Sequence, residues 1–272
     1  MSLFYKINQG RDFKSRAARP AVNFRALSLG VHGSAHVDRP LFILSWGGAG
    51  WRRGFADGYS SRLKKIWVAR RCVCVCPRRT AKWRQSCMKA KDLELRAGSV
   101  IRHRGGSLHP VKYFIIHHNY DPETQDEDIA LVKVKKPFSD NPLVRYIALP
   151  KQNEAVKPNI KAIVVGWGST GVDLPGSSFL KDVKVEIMDQ NRCRDTDAFS
   201  YTHSITKNMI CAASFLKDTR TGDSGGPMII GRNSPKLVGI TSWGEGTGDL
   251  QSPGVYTRVA KYRNWIRMKT GL

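Results

Sequence analysis

No stretch of this sequence carries the roughly 18 consecutive apolar residues that a membrane-spanning helix needs. Its longest apolar clusters, Leu41 to Trp46 and Ala162 to Val165, have the length of a strand. Glutamate is absent from the first 90 residues, where 19 Lys and Arg face three acids, Asp12, Asp38 and Asp57. Met1 to Ser15 carries Lys6, Arg11, Asp12 and Lys14 around no apolar core, so a secretory signal is not expected there. No internal repeat is visible. No second CxxC-type knuckle accompanies Cys72, Cys74, Cys76 and Cys87, and alternate cysteines on extended backbone point to opposite faces, so neither zinc nor any other metal is expected.

What is present is an ordinary globular mixture, 41% hydrophobic and 9% aromatic over 272 residues, long enough to bury a sizeable core. The net charge of +23 is uneven, because residues 1–90 hold 19 of the 45 basic side chains and only three of the 22 acids. A basic arm for nucleic acid or a membrane surface would explain the skew, and so would a segment never selected to fold. The charges lack the spacing or motif of a nucleic-acid reader, so no nucleic-acid partner is expected. Cys193 and Cys211 stand apart from the other four cysteines. If bridged, they would close a short loop, stabilise the fold by about 3 kcal/mol, and place the protein in an oxidising compartment.

From about Asp92 onward, short apolar or alternating runs recur between Gly, Pro, Asn and Asp clusters, the pattern of a sandwich or barrel. The runs are Leu93–Arg96, Lys112–His117, Ile129–Val134, Ala162–Gly166, Lys184–Met188, Pro227–Ile230, Leu237–Ser242 and Gly254–Val259. Leu131-Val132-Lys133-Val134-Lys135 alternates as a half-buried strand should. Val259, Tyr262, Trp265 and Ile266 fall at helical intervals and predict a closing helix. Residues 1–86 show no sustained period, and a boundary falls at Cys87.

Gly222-Asp223-Ser224-Gly225-Gly226-Pro227 is the most specific string. A nucleophilic serine needs an exposed Oγ on a tight turn, with backbone N–H groups aimed where negative charge develops. Flanking glycines allow that turn and keep side chains away from the oxyanion. The string resembles the active-site signature of the trypsin and chymotrypsin family of serine endopeptidases, the family in which the roles of a catalytic triad were worked out. The resemblance covers residues 87–270. Asp128-Ile129-Ala130-Leu131 is similar to the segment that carries the triad aspartate, and Gly166-Trp167-Gly168, Asn208-Met209-Ile210-Cys211-Ala212, Ser242-Trp243-Gly244 and Pro253-Gly254-Val255-Tyr256-Thr257-Arg258-Val259 follow in family order.

The resemblance implies Ser224 as nucleophile, Asp128 as the carboxylate orienting a histidine, and the N–H groups of Gly222 and Ser224 as the oxyanion hole. It implies Asp218 at the base of the primary pocket, selecting Arg or Lys, with Ser242, Trp243, Gly244 and Gly254 lining the substrate site. Asp223 would pair with a new N-terminal ammonium after zymogen cleavage, and Cys193–Cys211 would be a disulfide. Other family bridges are lost at both ends: Ala162 and Ile230 replace one, Arg220 and Thr247 another. Arg220, beside the pocket, adds positive charge to its rim.

The general-base histidine of the family directly precedes a cysteine. Here the string is Trp83-Arg84-Gln85-Ser86-Cys87, so Ser86 occupies the expected place of the histidine. None of His32, His36, His103, His109, His117, His118 and His203 has that context; His117 and His118 stand where relatives carry a non-catalytic histidine. The activation sequence, an Arg followed by Ile-Val-Gly-Gly, is missing, with Leu44-Ser45-Trp46-Gly47-Gly48 a faint echo. Two origins account for this: a genuine non-catalytic homologue, or a first part translated out of frame. The second is favoured, because codons for Gln85-Ser86-Cys87 shifted by one base can spell Ser-His before the cysteine.

The expected architecture is all-β: two antiparallel barrels of the chymotrypsin type, the first incomplete, and a C-terminal helix. Residues 1–86 form an anomalous basic segment, mistranslated or disordered. Residues about 87–145 supply the first-barrel remnant, about 150–255 the second barrel and about 257–270 the helix. The expected function is a serine endopeptidase cleaving after Arg or Lys, impaired here by the missing histidine, or a non-catalytic homologue that binds proteins. Its partners would be protein or peptide substrates and protein inhibitors. It needs no cofactor, is expected to be a monomer, and by resemblance is secreted as a zymogen.

Overall fold

The computed structural model describes residues 89–138, 143–171, 174–196, 204–215, 218–244 and 250–272, together with the backbone of two short strands nearer the start. Those two strands are β1 (Ala26–Ser28) and β2 (Leu41–Leu44), followed by β3 (Glu94–Ala97), β4 (Ser107–Ile116), β5 (Ala130–Val134) and β6 (Val144–Tyr146). Next come β7 (Lys161–Gly166), β8 (Lys181–Ile187), the short helix α1 (Gln190–Arg194), β9 (Met209–Ala213), β10 (Pro227–Ile230), β11 (Lys236–Trp243), β12 (Gly254–Arg258) and the closing helix α2 (Arg263–Thr270). The molecule is all-β with a C-terminal helix, as the punctuated apolar runs imply.

Strands β7 to β12 close into a six-stranded antiparallel barrel in the order β7, β8, β9, β12, β11, β10. Closure satisfies every edge, so the barrel has no open strand to protect. Its interior is apolar, with Ala162, Val164, Val185, Ile187, Ile210, Met228, Val238 and Tyr256 buried together. Ala162 lies in that cluster and Ile230 packs against it, so these two positions contribute hydrophobic contact to the barrel core. The first lobe is a four-stranded antiparallel sheet, β2-β5-β4-β3. Strand β2 pairs antiparallel with β5, Leu41 opposite Lys133 and Leu44 opposite Ala130, while β1 pairs parallel with β6. The apolar cluster Leu41 to Trp46 thus contributes an outer strand to the first lobe.

Strand β5 departs from the alternating pattern expected of it. Ala130, Leu131, Val132 and Val134 are all buried and only Lys133 is partly exposed. The reason is that two cores claim opposite faces: Val132 and Val134 pack with Leu95, Val111 and Phe138 inside the first lobe. Leu131, with Ile129, packs instead against Trp265 and Ile266 of α2 and Ile240 of the barrel. A strand covered on both faces reads as a continuous apolar run. The C-terminal helix also differs from a single run over Val259–Met268. A 3-10 turn (Val259–Lys261) precedes α2, and Tyr262 between them is not helical, with φ −110° and ψ 5°. Gly271, at φ 74°, ends α2 in the left-handed conformation that suits a glycine.

The two lobes are tied by polar contacts as well. Asp126 accepts from Thr206 Oγ1 at 2.8 Å and from Asn208 Nδ2 at 3.1 Å, and Asn208 Nδ2 also reaches Glu127 Oε1 at 3.0 Å. This places an acidic loop of the first lobe on the loop that leads into β9. Gln125 and Glu127 adopt φ of 56° and 55° there, a conformation uncommon for residues with a side chain.

Candidate active site

Asp128 ends the acidic loop two residues before the buried start of β5, and it is itself 1% exposed. A carboxylate so deeply buried must be satisfied by hydrogen bonds. Ser242 Oγ donates to Asp128 Oδ2 at 2.6 Å, and Thr257 Oγ1 donates to the Asp128 carbonyl at 2.6 Å. Both hydroxyls come from the second barrel. The register of β11 against β12 shifts between Thr241 and Trp243, and such a bulge re-aims the side chain it holds. Ser242 is at that shift. Its hydroxyl is therefore engaged with Asp128, a contact the sequence reading, which placed Ser242 on the substrate line, did not anticipate.

The same strand holds the serine turn. Gly225 donates its N–H to the Thr241 carbonyl at 2.8 Å, and Thr241 returns one to Gly226 at 2.7 Å. Ser224 is thus one residue from a ladder to Thr241, whose neighbour Ser242 grips Asp128. These bonds link the Ser224 turn to Asp128 through Thr241 and Ser242, although the two are distant in sequence. Gly222 and Gly225 have φ of 102° and 81°, values that only glycine adopts readily. Within the turn, Asp223 and Gly226 donate their N–H groups to Arg220 and Asp223 carbonyls. The N–H groups of Gly222 and Ser224 donate to no carbonyl among the described residues.

Asp223 is folded inward. Its Oδ1 accepts from Gly168 N–H at 2.7 Å and its Oδ2 from Arg220 N–H at 3.0 Å. Gly166 and Gly168 make room for it: a Cβ on Gly168 would lie 2.4 Å from the carboxyl carbon. Burial pushes this carboxyl above its ordinary range, opposed by the two N–H groups and by the positive charge of Arg102.

Asp218 sits against Gly254. A Cβ on Gly254 would fall 2.9 Å from Asp218 Oδ1 and 3.1 Å from the Tyr256 hydroxyl. Asp218 Oδ1 accepts from the Thr219 N–H at 2.7 Å. Gly244, at φ 149°, packs directly against Gly254, its Cβ position 3.3 Å from the Gly254 Cα. The Asp218 carboxylate, Gly254 and Gly244 thus stand in sequence, each against the next. Tyr256, fully buried beneath, has its hydroxyl pushed up by burial and by the charge of Asp218. Trp243 is the last residue of β11 and precedes Gly244.

Ser86 and Cys87 lie outside the described residues, as do Cys72, Cys74 and Cys76 and the Thr247 position. Cys193 and Cys211 form a disulfide that ties α1 to β9, with Cα atoms 6.2 Å apart. His109 stacks on Phe138 and pairs with Ser107 Oγ at 2.7 Å. His117 packs against His118, Tyr262 and Trp265, its Nδ1 3.3 Å from Glu127 Oε2. Burial holds it down to about 4.

The trypsin family model matches residues 84–266. The chain belongs to the trypsin family. It is 39% identical over 180 residues to trypsin epsilon of Drosophila erecta, a match spanning 65% of this chain and 67% of that protein. Identity to a trypsin of Sarcophaga bullata is 38% over 181 residues, covering 65% of this chain and 68% of the relative. Transmembrane protease serine 11G of Rattus norvegicus is 41% identical over 169 residues, 60% of this chain but 39% of that longer protein. By family the chain is a serine protease and a hydrolase, and proteins are the substrates of that family.

Proposed function

We propose that this trypsin-family chain carries a pocket for Arg or Lys, with Ser224, Asp128 and the oxyanion N–H groups in place and the general base missing. The observation that supports the pocket is the Asp218 carboxylate set against Gly254, which in turn packs on Gly244, so that no side chain from either glycine covers the acid. An anion at the end of such a pocket selects a basic side chain, because a neutral one would leave it unpaired. In an intact relative, a histidine takes the proton of the serine hydroxyl as the oxygen attacks the peptide carbonyl. The resulting oxyanion rests on backbone N–H groups, and water later releases the acyl group. For this chain we assign the attack to Ser224, the oxyanion to the N–H groups of Gly222 and Ser224, the orientation of the base to Asp128 and the Arg or Lys before the scissile bond to Asp218. The carboxylate of Asp223 anchors the turn.

The string Trp83-Arg84-Gln85-Ser86-Cys87 favours a second reading, a homologue that binds proteins without cutting. Triad members act as a unit, so a chain without the base retains about 10³–10⁴-fold over water from binding and the oxyanion hole. Either reading is compatible with a secreted monomer that meets protein inhibitors. An Arg-directed phosphonate incubated with the full chain for many hours separates them: a mass increase on Ser224, slow because the general base is missing, supports the impaired endopeptidase. An unlabelled Ser224, with the inhibitor's basic group still bound reversibly, supports the binder.

A further inference from the structure

We infer that Arg102 is the internal cation that holds Asp223, and with it the Gly222–Ser224 turn, in place within the uncleaved chain. The inference rests on the pocket assignment above. By resemblance, Asp223 awaits a new N-terminal ammonium, yet no Ile-Val-Gly-Gly activation sequence is present in the chain to supply one. Here the Asp223 carboxylate is already turned inward onto the Gly168 and Arg220 N–H groups.

Arg102 reaches that place because its segment is strapped to the second lobe. Arg102 N–H donates to the Ser178 carbonyl at 2.9 Å, Leu180 N–H to Val100 at 2.8 Å, and Trp167 Nε1 to the Val100 carbonyl at 3.0 Å. Ile101 bridges Phe179. Gly105 and Gly106, at φ 71° and 61°, let the chain reverse immediately afterwards; a Cβ on Gly106 would collide with the Ala97 carbonyl oxygen at 2.0 Å. The guanidinium is thereby laid over Gly176: a Cβ there would lie 2.3 Å from Nη1 and 2.6 Å from the Trp167 carbonyl oxygen. Gly176 is bridged to Ser169, and Ser177 N–H donates to the Gly168 carbonyl at 3.0 Å. The guanidinium and the Trp167 carbonyl oxygen thus both crowd Gly176, and the residue after Trp167, Gly168, supplies the N–H that holds Asp223 Oδ1. His103 and Arg104, on the same turn, are exposed. Arg102 is partly buried, where a charge acts with less screening.

A positioning role of this kind is read by a ligand that requires a formed pocket. The probe is p-aminobenzamidine, whose fluorescence rises when its amidinium is bound, titrated into the full uncleaved chain. Wild type is expected to bind unaided, and R102Q to bind roughly five-fold or more weakly. Its acid limit of binding moves to higher pH, because Asp223 loses a charge that favours its ionised form. Saturating Ile-Val dipeptide, which brings a free ammonium, restores R102Q, whereas R104Q, an equal loss of charge from the exposed side of the turn, behaves as wild type. R102M, which keeps the stem and removes the charge, replaces R102Q if the latter lacks the wild-type circular dichroism spectrum. R102Q binding as tightly as wild type, or losing affinity with its acid limit unmoved, overturns the role of Arg102 and leaves the pocket assignment standing. Wild type binding only with Ile-Val has the same consequence. Wild type binding under neither condition removes the pocket assignment and this inference together.

Discussion

Ser242 Oγ donates a 2.6 Å hydrogen bond to the carboxylate of Asp128, joining residues 114 positions apart and in different lobes. Ser242 stands at a bulge in the strand that also braces the Ser224 turn, so this bond ties that turn to Asp128.

Replacing Ser242 with Ala removes a hydrogen bond to a buried, charged acceptor. Such bonds contribute about 1.5–3 kcal/mol. S242A should lower the free energy of urea unfolding by that amount with the m-value unchanged; a loss below about 0.5 kcal/mol would show that the bond is not a support of Asp128.

Asp218 and Gly254 are expected to control binding of a cationic probe without controlling folding. D218S removes one member of a desolvated charge pair, a change worth about 2–5 kcal/mol. G254A places a methyl group 2.9 Å from Asp218 Oδ1 and should weaken p-aminobenzamidine by roughly ten-fold, equivalent to about 1.4 kcal/mol. Unaltered affinity in both variants would refute the assignment of the pocket.

The Cys193–Cys211 bridge closes a separation of 18 residues. The double variant C193A/C211A should lose about 2–5 kcal/mol, seen as a lower thermal midpoint that reductant does not lower further. Wild type should fall toward the same midpoint when reduced.

His117 gives the fold a pH dependence whose sign is fixed by its burial. Its folded value is about 4 against an ordinary 6.5, so the unfolded chain binds the proton first. Stability from neutral His117 is complete above about pH 6.5 and drains away as pH falls toward 4. His118 and Lys269 press the same way, while Asp126 opposes them. Glu127, raised by burial, contributes in the other sense: its share is present at low pH and lost as pH rises through its folded value. In urea unfolding at pH 7 and pH 5, wild type should lose more stability than H117N; equal losses would exclude His117 as the origin.

Much of the second barrel was legible along the chain. Pro227–Ile230 matches β10 residue for residue, and the runs at Ala162, Leu237 and Gly254 fall within one or two residues of β7, β11 and β12. Strand β9 was seen as a family string but not as a strand, because Met209, Ile210, Cys211, Ala212 and Ala213 are buried on both faces and show no alternation. The first half of β4 was missed because Pro110 and His109 interrupt its apolar pattern. Burial of Lys133's neighbours on both sides was invisible for a related reason: which faces are covered depends on α2, far away in sequence. The pairing of β2 with β5 could not be read at all, since an isolated four-residue apolar run does not name its partner.

Residue order alone determined the chemistry on offer. A glycine-flanked serine, an aspartate entering an apolar strand and an acid six residues before the serine are local facts, legible because tight turns and buried strands each demand particular residue types. The tertiary structure decided who serves whom. It gave the Ser242 hydroxyl to Asp128, set Gly254 against Asp218, and laid Arg102 beside the backbone that holds Asp223. Such pairings depend on two lobes packing together, and the energy of a buried charge depends on what surrounds it in space, which no spacing along the chain can specify.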